Sequence, residues 1–427
     1  MPAFGALVAE PLYVLADTAV VGHLGTPQLA GLAIASSVLL TAHAVCIFLA
    51  YGTTAAVSRL LGAGDDREAA HQAVQGLWLG ALIGVALAMA GAPLAGPLVR
   101  ALGATDTDGV AGYATTYLLV SLLGLPAMLG VLAGSGYLRG LQDTRTPLLV
   151  AVGTAVLNLV LEVVLIYGLD LGMGASAAAT VVAQWIAAAI YVRRIGRAAL
   201  AEGVGLRPDA RSVRSLLRVG GALLVRTAAL RSALVLATFV AASLGTVEVG
   251  AHQIGYELWN FLALALDAVA SAGQALTGRL LGSGRVDDAR AAARRMLELG
   301  ALAGVAGGLA VALTRTLLAS LFSNDPRVTA LAAFVLLIVA LLQPVNGVVF
   351  ALDGILIGAG DAAFLAKAMV GAFVGFAAAI AVVLATDAGI GWLWASLGLF
   401  MVLRLLPLWR RFEAGTWAVA GAVRACR

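Results

Sequence analysis

Charged side chains are scarce in this chain. Only 12% of the 427 residues are Asp, Glu, Lys or Arg, whereas a soluble domain has about 25%. Hydrophobic residues make up 61% of the chain, and the mean hydropathy is +0.98. This composition excludes an ordinary soluble domain and predicts an integral membrane protein.

Cysteine and histidine are also rare. The two cysteines, Cys46 and Cys426, fall in a helix and in the C-terminal tail, so no disulfide framework is expected. The four histidines lack the spacing of a metal site; they are His23, His43, His71 and His252. No phosphate-binding loop and no Ser, Cys or His constellation is apparent. We therefore expect neither an enzyme nor a protein that needs a cofactor.

Long apolar runs dominate the chain. Each is close to the roughly 20 residues that a transmembrane helix requires, and none alternates polar and apolar residues as a membrane strand does. The sequence predicts an all-α membrane protein. Its twelve transmembrane helices are expected near residues 2–23, 30–58, 72–98, 112–138, 147–168, 173–193, 217–242, 249–278, 292–314, 328–357, 364–386 and 390–409.

The basic residues predict the orientation. If the N-terminus is cytoplasmic, all but five of the 27 lysines and arginines fall in inside loops or the tail. Arg404 is counted among these inside residues. The five others are Arg100, Arg315 and Arg327 in outside loops and Arg226 and Arg231 in the spans. This bias is typical of cytoplasmic loops. We expect both termini in the cytoplasm of a bacterium, a retained first helix and no nucleic-acid partner.

An internal repeat relates the two halves. "HLGTPQLAG" at 23–31 matches "SLGTVEVGA" at 243–251 with a shift of 220 residues. "LPAMLGVLAGSGYLRGLQD" at 125–143 matches "QPVNGVVFALDGILIGAGD" at 343–361 with a shift of 218. Ordered matches of this kind indicate duplication. We predict an N-terminal six-helix lobe at 1–195, an interlobe linker at 196–216, a second lobe at 217–411 and a cytoplasmic tail at 412–427.

Two six-helix repeats in parallel orientation are typical of transporters that work by alternating access. The sequence shows no nucleotide-binding domain, which favours a secondary transporter over an ATP-driven pump. A non-transporting receptor or scaffold is a weaker hypothesis, because it has no use for acids inside the membrane.

Ionisable residues within a span usually have a function, because each costs about 2.5–3.5 kcal/mol on insertion scales. On the first helix, Glu10, Tyr13 and Asp17 share one face, and on the fifth Asn158 and Glu162 are four residues apart. The repeat shifts carry Asp17 onto Ala237 and Glu162 onto Ile380. The fold therefore does not require these acids, and we expect them to bind a coupling ion.

The C-terminal half has charges of its own. Arg226 and Asp353 are secondary candidates, alongside Glu10 from the first half. An arginine can neutralise an acid on a neighbouring helix, so packing explains these charges about as well as function. Asp143 and Asp361 match each other at helix ends and are expected to cap turns.

Several blocks resemble one known family over almost the whole chain. They are "EPLYVLADTAVVGHLGTPQLAGLA", "GYLRGLQDTRTPL", "NLVLEVVLIYGLDLGMGASAAATVVAQ", "AHQIGYELWNFLALALD" and "DGILIGAGD". These blocks resemble the multidrug and toxic compound extrusion family, and most closely its branch named for the DNA-damage-inducible protein F.

The resemblance implies a V-shaped pair of six-helix lobes that exchanges protons or sodium ions for organic, often cationic, drugs. It places the functional acid of helix one at Asp17, with Tyr13 one turn earlier, and the polar pair of helix five at Asn158 and Glu162. Further polar positions fall on Tyr117, Ser135 and Thr180. Helix five carries Glu where Asp is usual, and Ser135 replaces a common amide.

The choice of ion and substrate stays open at this level. A sodium ion would be held by Asp17, Asn158 and Glu162, whereas a proton needs only the acids. We expect small organic cations or amphipathic drugs as substrates and a monomer in the lipid bilayer. The alternative is a dedicated exporter or flippase for an endogenous metabolite or lipid-linked precursor. A flippase should line its cavity with several basic residues, and only Arg226 and Arg231 are predicted within the spans.

Overall fold

The computed structural model describes Gly5 and residues 17–18, 20–104, 109–169, 171–386 and 388–422. These described residues form helices and short turns, without a β-strand. Glu10 and Tyr13, both predicted from the first helix, lie outside the described part of the chain.

Thirteen α-helices are present in the described residues. They are α1 (Thr26–Cys46), α2 (Phe48–Gly62), α3 (Asp66–Ala101), α4 (Val110–Leu122), α5 (Leu125–Gly140), α6 (Arg145–Val163), α7 (Met173–Ala201), α8 (Ala210–Leu244), α9 (Thr246–Gly282), α10 (Val286–Phe322), α11 (Pro326–Gly358), α12 (Ala362–Thr386) and α13 (Ile390–Glu413). A π-helical turn, Val164–Gly168, continues α6.

Eleven membrane spans are recognisable in this part of the chain. Ten segments are long and apolar enough to cross a bilayer, α1 and α2 counting as one, and α4 with α5 forms an eleventh that bends by 51°. Of the predicted first helix, residues 17, 18 and 20–22 are described and helical. The all-α membrane fold expected from the apolar runs is confirmed.

The bend between α4 and α5 has a local cause. Pro126 lies in the first turn of α5, where its missing N–H removes one hydrogen bond to the preceding turn. The indole nitrogen of Trp185 donates to the Leu123 carbonyl at 3.1 Å. The single straight span predicted at 112–138 is therefore two helices.

The backbone reproduces the sequence repeat. Helix α1 begins at Thr26 and α9 at Thr246, which are 220 residues apart as the sequence shift requires. The glycines before these helices share an unusual conformation, with φ of 142° at Gly25 and 149° at Gly245. The duplication seen in the sequence is thus also visible in the backbone angles.

The chain forms two compact units, Met1–Gly220 (unit 1) and Gly221–Arg427 (unit 2). The division falls inside α8. Within the predicted linker at 196–216, α7 continues to Ala201 and α8 begins at Ala210.

The non-helical stretch before α8 is fixed to α3 of unit 1. The Gln75 side chain accepts from the Asp209 N–H at 2.8 Å and donates to the Arg207 carbonyl at 3.1 Å. Asp209 caps α8: the hydroxyl and N–H of Ser212 and the N–H of Arg211 donate to its carboxylate. These bonds hold the pKa of Asp209 below its ordinary value.

One predicted location is wrong. Arg404 was expected in an inside loop, but it lies within α13 with only 2% of its surface exposed. The end of unit 2 is also more ordered than a plain tail. Trp417 is buried, stacks on Phe412 at 5.6 Å and donates from its indole to the Phe412 carbonyl.

Glycines let the helices of unit 2 approach closely, as is common in membranes. A Cβ atom at Gly354 of α11 would collide with the carbonyl oxygen of Ala270 on α9. One turn later, a Cβ at Gly358 would meet the Gln274 carbonyl. Backbone contact between α9 and α11 therefore depends on these two positions.

Replacing Gly354 with alanine should destabilise unit 2. The added methyl group has only backbone to displace, and overpacking of this kind costs about 1–3 kcal/mol. The matched control is Gly371→Ala in α12, where nothing lies within 4 Å of the new Cβ. Thermal unfolding in detergent should show a lower midpoint for Gly354→Ala and an unchanged or higher midpoint for the control. Equal midpoints for both variants would contradict the packing described.

Candidate functional site

Two carboxylic acids of unit 1 meet at one serine hydroxyl. Ser176, in the first turn of α7, has its Oγ 2.8 Å from Asp17 Oδ1 and 3.0 Å from Glu162 Oε1. All three side chains are buried, Glu162 and Ser176 completely. The predicted pairing of Asp17 with Glu162 is thus present in the structure, and Ser176 bridges the two acids.

Counting hydrogens shows what this bridge requires. A serine hydroxyl carries one proton and can donate to only one of the two carboxylates. If the other short contact is also a hydrogen bond, the second carboxyl group must carry a proton and donate it to Ser176 Oγ. The arrangement therefore suits a pair of acids that shares one proton.

Two further residues complete the cluster. The Tyr117 hydroxyl of α4 lies 3.3 Å from Asp17 Oδ2, and Asn158 lies beside Glu162, one turn earlier on α6. Asn158 Oδ1 and Glu162 Oε2 are buried and have no hydrogen-bond partner among the described residues. The cluster thus combines one bridged acid pair with two oxygen atoms that remain available to a ligand.

The other predicted positions are distributed differently. Thr180 lies one turn after Ser176 and donates to its carbonyl oxygen at 3.2 Å, so it adjoins the acid pair. Ser135 is buried in α5 and donates to Leu132 of its own helix at 2.9 Å. No described contact joins Ser135 to the acids.

Ser176 itself was missed by the sequence reasoning. It follows "GMGA" in a helix of small residues, where a serine is expected simply to allow close packing. One signal was available: the repeat shift of 218 carries Ser176 onto Trp394. The duplicate has a tryptophan at this position, so this fold does not require a serine there.

The whole cluster has an apolar counterpart in unit 2. The repeat shifts carry its five members, Asp17, Tyr117, Asn158, Glu162 and Ser176, onto Ala237, Val335, Phe376, Ile380 and Trp394. All five counterparts belong to one hydrophobic core. The polar residues of unit 1 therefore occupy places that this fold fills equally well with apolar side chains.

Unit 2 contains a different buried charge cluster. Asp353 Oδ2 accepts from Arg226 at 2.6 Å and from Arg404 at 2.7 Å. These residues join helices α11, α8 and α13, and each is less than 10% exposed. The secondary candidates Arg226 and Asp353 are thus an ion pair, with a second arginine that the sequence reasoning had placed outside the membrane.

This cluster has a structural role in unit 2. Two guanidinium groups compensate one carboxylate, so Asp353 does not present an uncompensated negative charge to a cation. Elsewhere, no group of three or more His, Cys, Asp or Glu that could hold a metal ion is found in the described segments.

These features define a class: a polytopic membrane protein of two six-helix repeats, with a buried acid pair in only one of them. A family model described as MatE matches residues 2–164 and 224–383. The chain belongs to the MatE family, whose members are transporters rather than enzymes and need no cofactor. The resemblance drawn from the sequence blocks is confirmed.

Similar curated proteins come from bacteria and plants. The chain is 30% identical to the DNA damage-inducible protein F of Escherichia coli over 98% of this chain and 93% of that protein. It is 33% identical to the chloroplastic Protein DETOXIFICATION 44 of Arabidopsis thaliana, over 98% and 80%. A probable multidrug resistance protein NorM of Neisseria meningitidis serogroup B is 29% identical over 81% and 77%.

Solved structures share the fold. A point mutant of the Vibrio cholerae MATE transporter VcmN superimposes with a TM-score of 0.88 at 21% identity, covering 97% of this chain and 94% of that one. A MATE crystallised in complex with MaD3S gives 0.86 at 22% identity, covering 97% and 95%. The predicted twelve-helix architecture is that of these neighbours.

Substituting Asp353 with asparagine should destabilise unit 2 strongly. The change leaves two buried guanidinium groups without their carboxylate, and breaking a buried pair costs about 3–5 kcal/mol. Asp288→Asn is the matched control, because Asp288 also accepts from an arginine at 2.6 Å, but at the exposed start of α10. Its loss should cost about 0–1 kcal/mol. Unfolding midpoints that fall equally in both variants would contradict a structural role for the buried cluster.

Proposed function

We propose that this transporter exports organic cations in exchange for protons, and that the acid pair Asp17 and Glu162 carries the proton. The observation that supports this proposal is the Ser176 hydroxyl shared between the two carboxyl groups. Such a bridge holds one proton on the pair without a compensating basic residue. The described residues around the pair provide no arginine or lysine ion pair that would fix both acids as carboxylates.

The proposed exchange follows from charge compensation. With one proton bound, the cluster has a single negative charge, and two hydrogen bonds hold Asp17 and Glu162 together. When that proton leaves, two carboxylates face one hydroxyl in a medium of low dielectric, where an uncompensated charge is costly. A bound organic cation offsets that charge. Proton and cation therefore weaken each other's binding, and by thermodynamic reciprocity both do so by the same factor.

Sodium is the competing ion. Asn158 Oδ1 and Glu162 Oε2, which have no described hydrogen-bond partner, would join Asp17 as oxygen ligands of the kind that hard cations prefer. The shared hydroxyl favours the proton, because a metal ion would take the carboxylate oxygens that Ser176 now bridges.

The placement of the cluster suggests the side from which it is loaded. Glu162 and Ser176 lie near the end of α6 and the start of α7, on either side of the connection between these two helices. With both termini cytoplasmic, as the arginine bias suggests, this connection lies outside a bacterial cytoplasmic membrane. A proton from outside would then reach the acids directly. Because both acids belong to one chain, a monomer would suffice for transport.

A dedicated exporter or flippase of an endogenous metabolite or lipid-linked precursor is less well supported. A flippase of such a precursor calls for several free basic groups in the membrane, whereas Arg226 and Arg404 already bind Asp353. Arg231, the other arginine predicted within the spans, has an exposed side chain on α8.

Transport by the acid variants tests the proposal. Purified protein in liposomes should move the fluorescent cation ethidium when a proton gradient is imposed. Asp17→Asn and Glu162→Gln should each lower the proton-driven rate about 5- to 150-fold, the usual range of a coupling factor. Glu298→Gln, which removes an exposed acid paired with Arg295 on α10, should transport like the wild type.

Two results would contradict the proposal. Wild-type transport that responds to a sodium gradient and ignores a proton gradient would replace the proton with sodium. Undiminished proton-driven transport in both acid variants would remove the acid pair from the mechanism. If no organic cation is moved under either gradient, the dedicated-exporter alternative takes its place.

The bridging hydroxyl gives a finer prediction. Ser176→Ala removes one of the hydrogen bonds that hold a single proton on the pair, a bond worth about 1 kcal/mol net. The pH of half-maximal transport should then fall by about 0.5–1 unit. Ser176→Thr keeps a hydroxyl and should restore the wild-type profile. As a control, Ser121→Ala deletes a buried hydroxyl that has no described partner and should leave the profile unchanged. An unshifted Ser176→Ala profile would exclude the bridge from proton binding.

A further inference from the structure

A tyrosine beyond the acid pair makes an unusual contact. Tyr167 lies in the π-helical turn that begins two residues after Glu162. About half of its surface is exposed, yet its hydroxyl donates to the Val20 carbonyl oxygen at 2.8 Å. The bond spans 147 residues of sequence and joins the end of α6 to the segment that carries Asp17.

Val20 lies at the end of that segment's helix. The next amides bond three residues back: His23 N–H donates to the Val20 carbonyl at 3.3 Å, and Leu24 N–H to Val21 at 3.0 Å. Such tight, poorly aligned bonds are typical of a terminating helix, whose last carbonyls need other donors. The Tyr167 hydroxyl supplies one.

The Asp17 segment is therefore held at two points about one turn apart. Asp17 is bound through Ser176 and Tyr117 at its carboxylate, and Val20 is bound through Tyr167 at its carbonyl. The second contact comes from a residue of the π turn. Single π turns of this kind occur frequently at functional sites.

The repeat shows that Tyr167 and the π turn are not general features of this fold. A shift of 218 carries Tyr167 onto Ala385, and the equivalent of the π turn, residues 382–386, is regular α-helix in α12. Among the described residues, the π turn and a tyrosine at this position thus occur in the half of the chain that has the acid pair and not at the corresponding place in the other half. The fold alone does not require either of them.

We infer that Tyr167 is a positioning residue, whose hydroxyl holds the Asp17 segment against α6 so that Asp17 and Glu162 can share one proton. This inference rests on the proposed function. The bond to Val20 stabilises the arrangement in which both acids meet at Ser176, so its loss should weaken proton binding by the factor that the bond contributes.

The other titratable groups around the pair are few. Tyr117 on α4 faces Asp17, and His23, exposed, follows on the same segment as Asp17. A shift caused by Tyr167 should therefore appear as a single displaced transition.

Tyr167→Phe removes only the hydroxyl and is the decisive variant. In proteoliposomes with ethidium, half-maximal transport by this variant should require a proton concentration about threefold to tenfold higher than in the wild type. The maximal rate should be retained at low pH. Tyr113→Phe is the matched control, since its hydroxyl has a long contact of 3.4 Å with Gln28 and none with the acids. The control should keep the wild-type midpoint.

A second readout does not depend on transport. His23→Cys in a background lacking both native cysteines reports how tightly the end of the Asp17 segment is held. Its labelling by a water-soluble maleimide should be about threefold to tenfold faster with Tyr167→Phe than with Tyr113→Phe at the same pH.

The outcomes separate the two proposals. An unshifted midpoint and unchanged labelling in Tyr167→Phe, with Asp17→Asn still uncoupled, would overturn the role of Tyr167 and leave the acid pair in place. Undiminished proton-driven transport in both Asp17→Asn and Glu162→Gln would overturn the proposed function, and the labelling rates would still decide whether Tyr167 holds the segment.

Discussion

A charge inside a bilayer must be compensated where it lies, and this constraint shapes both halves of the molecule. Unit 2 compensates Asp353 with two arginines that bind one oxygen atom at 2.6 and 2.7 Å. Unit 1 brings two acids to one serine instead, without an arginine or lysine ion pair among the described residues. The first solution is permanent. In the proposed exchange, the second depends on a mobile proton and changes whenever that proton arrives or leaves.

The duplication shows how much of each unit serves the fold. Corresponding helices begin at corresponding residues, and the glycines before α1 and α9 share their backbone angles. When the two repeats are aligned, each residue of the acid cluster of unit 1 corresponds to an apolar, buried residue of unit 2. Because the same helical fold accepts polar side chains in unit 1 and apolar ones in unit 2, it does not require acids at these positions. Their presence therefore calls for a chemical explanation.

The sequence was sufficient for the helices, the repeat and the acids, since each depends on hydrophobic runs or on charges that stand out within them. Asp17, Glu162 and Asn158 could be paired because helical spacing and the repeat both isolate them. Ser176 could not, because a serine among glycines and alanines looks like a packing residue. Arg404 lies near the end of an apolar run, where an arginine usually reaches the membrane surface, and only the fold shows that it turns inward to Asp353. Pro126 marks the bend near Leu123 in the sequence, but neither the Trp185 contact at that bend nor the π turn after Glu162 can be read from the local sequence.

The tryptophan in the place of Ser176 has a spectroscopic consequence. Trp394 is fully buried, 5.8 Å from Trp259 and 5.5 Å from the ring of His252. All but two of the seven tryptophans belong to unit 2, and the two in unit 1, Trp78 and Trp185, lie about half exposed. The intrinsic fluorescence of this protein is therefore dominated by the half that lacks the acid pair. Emission reports the integrity of that half, and an added probe near Asp17 is needed to observe the other.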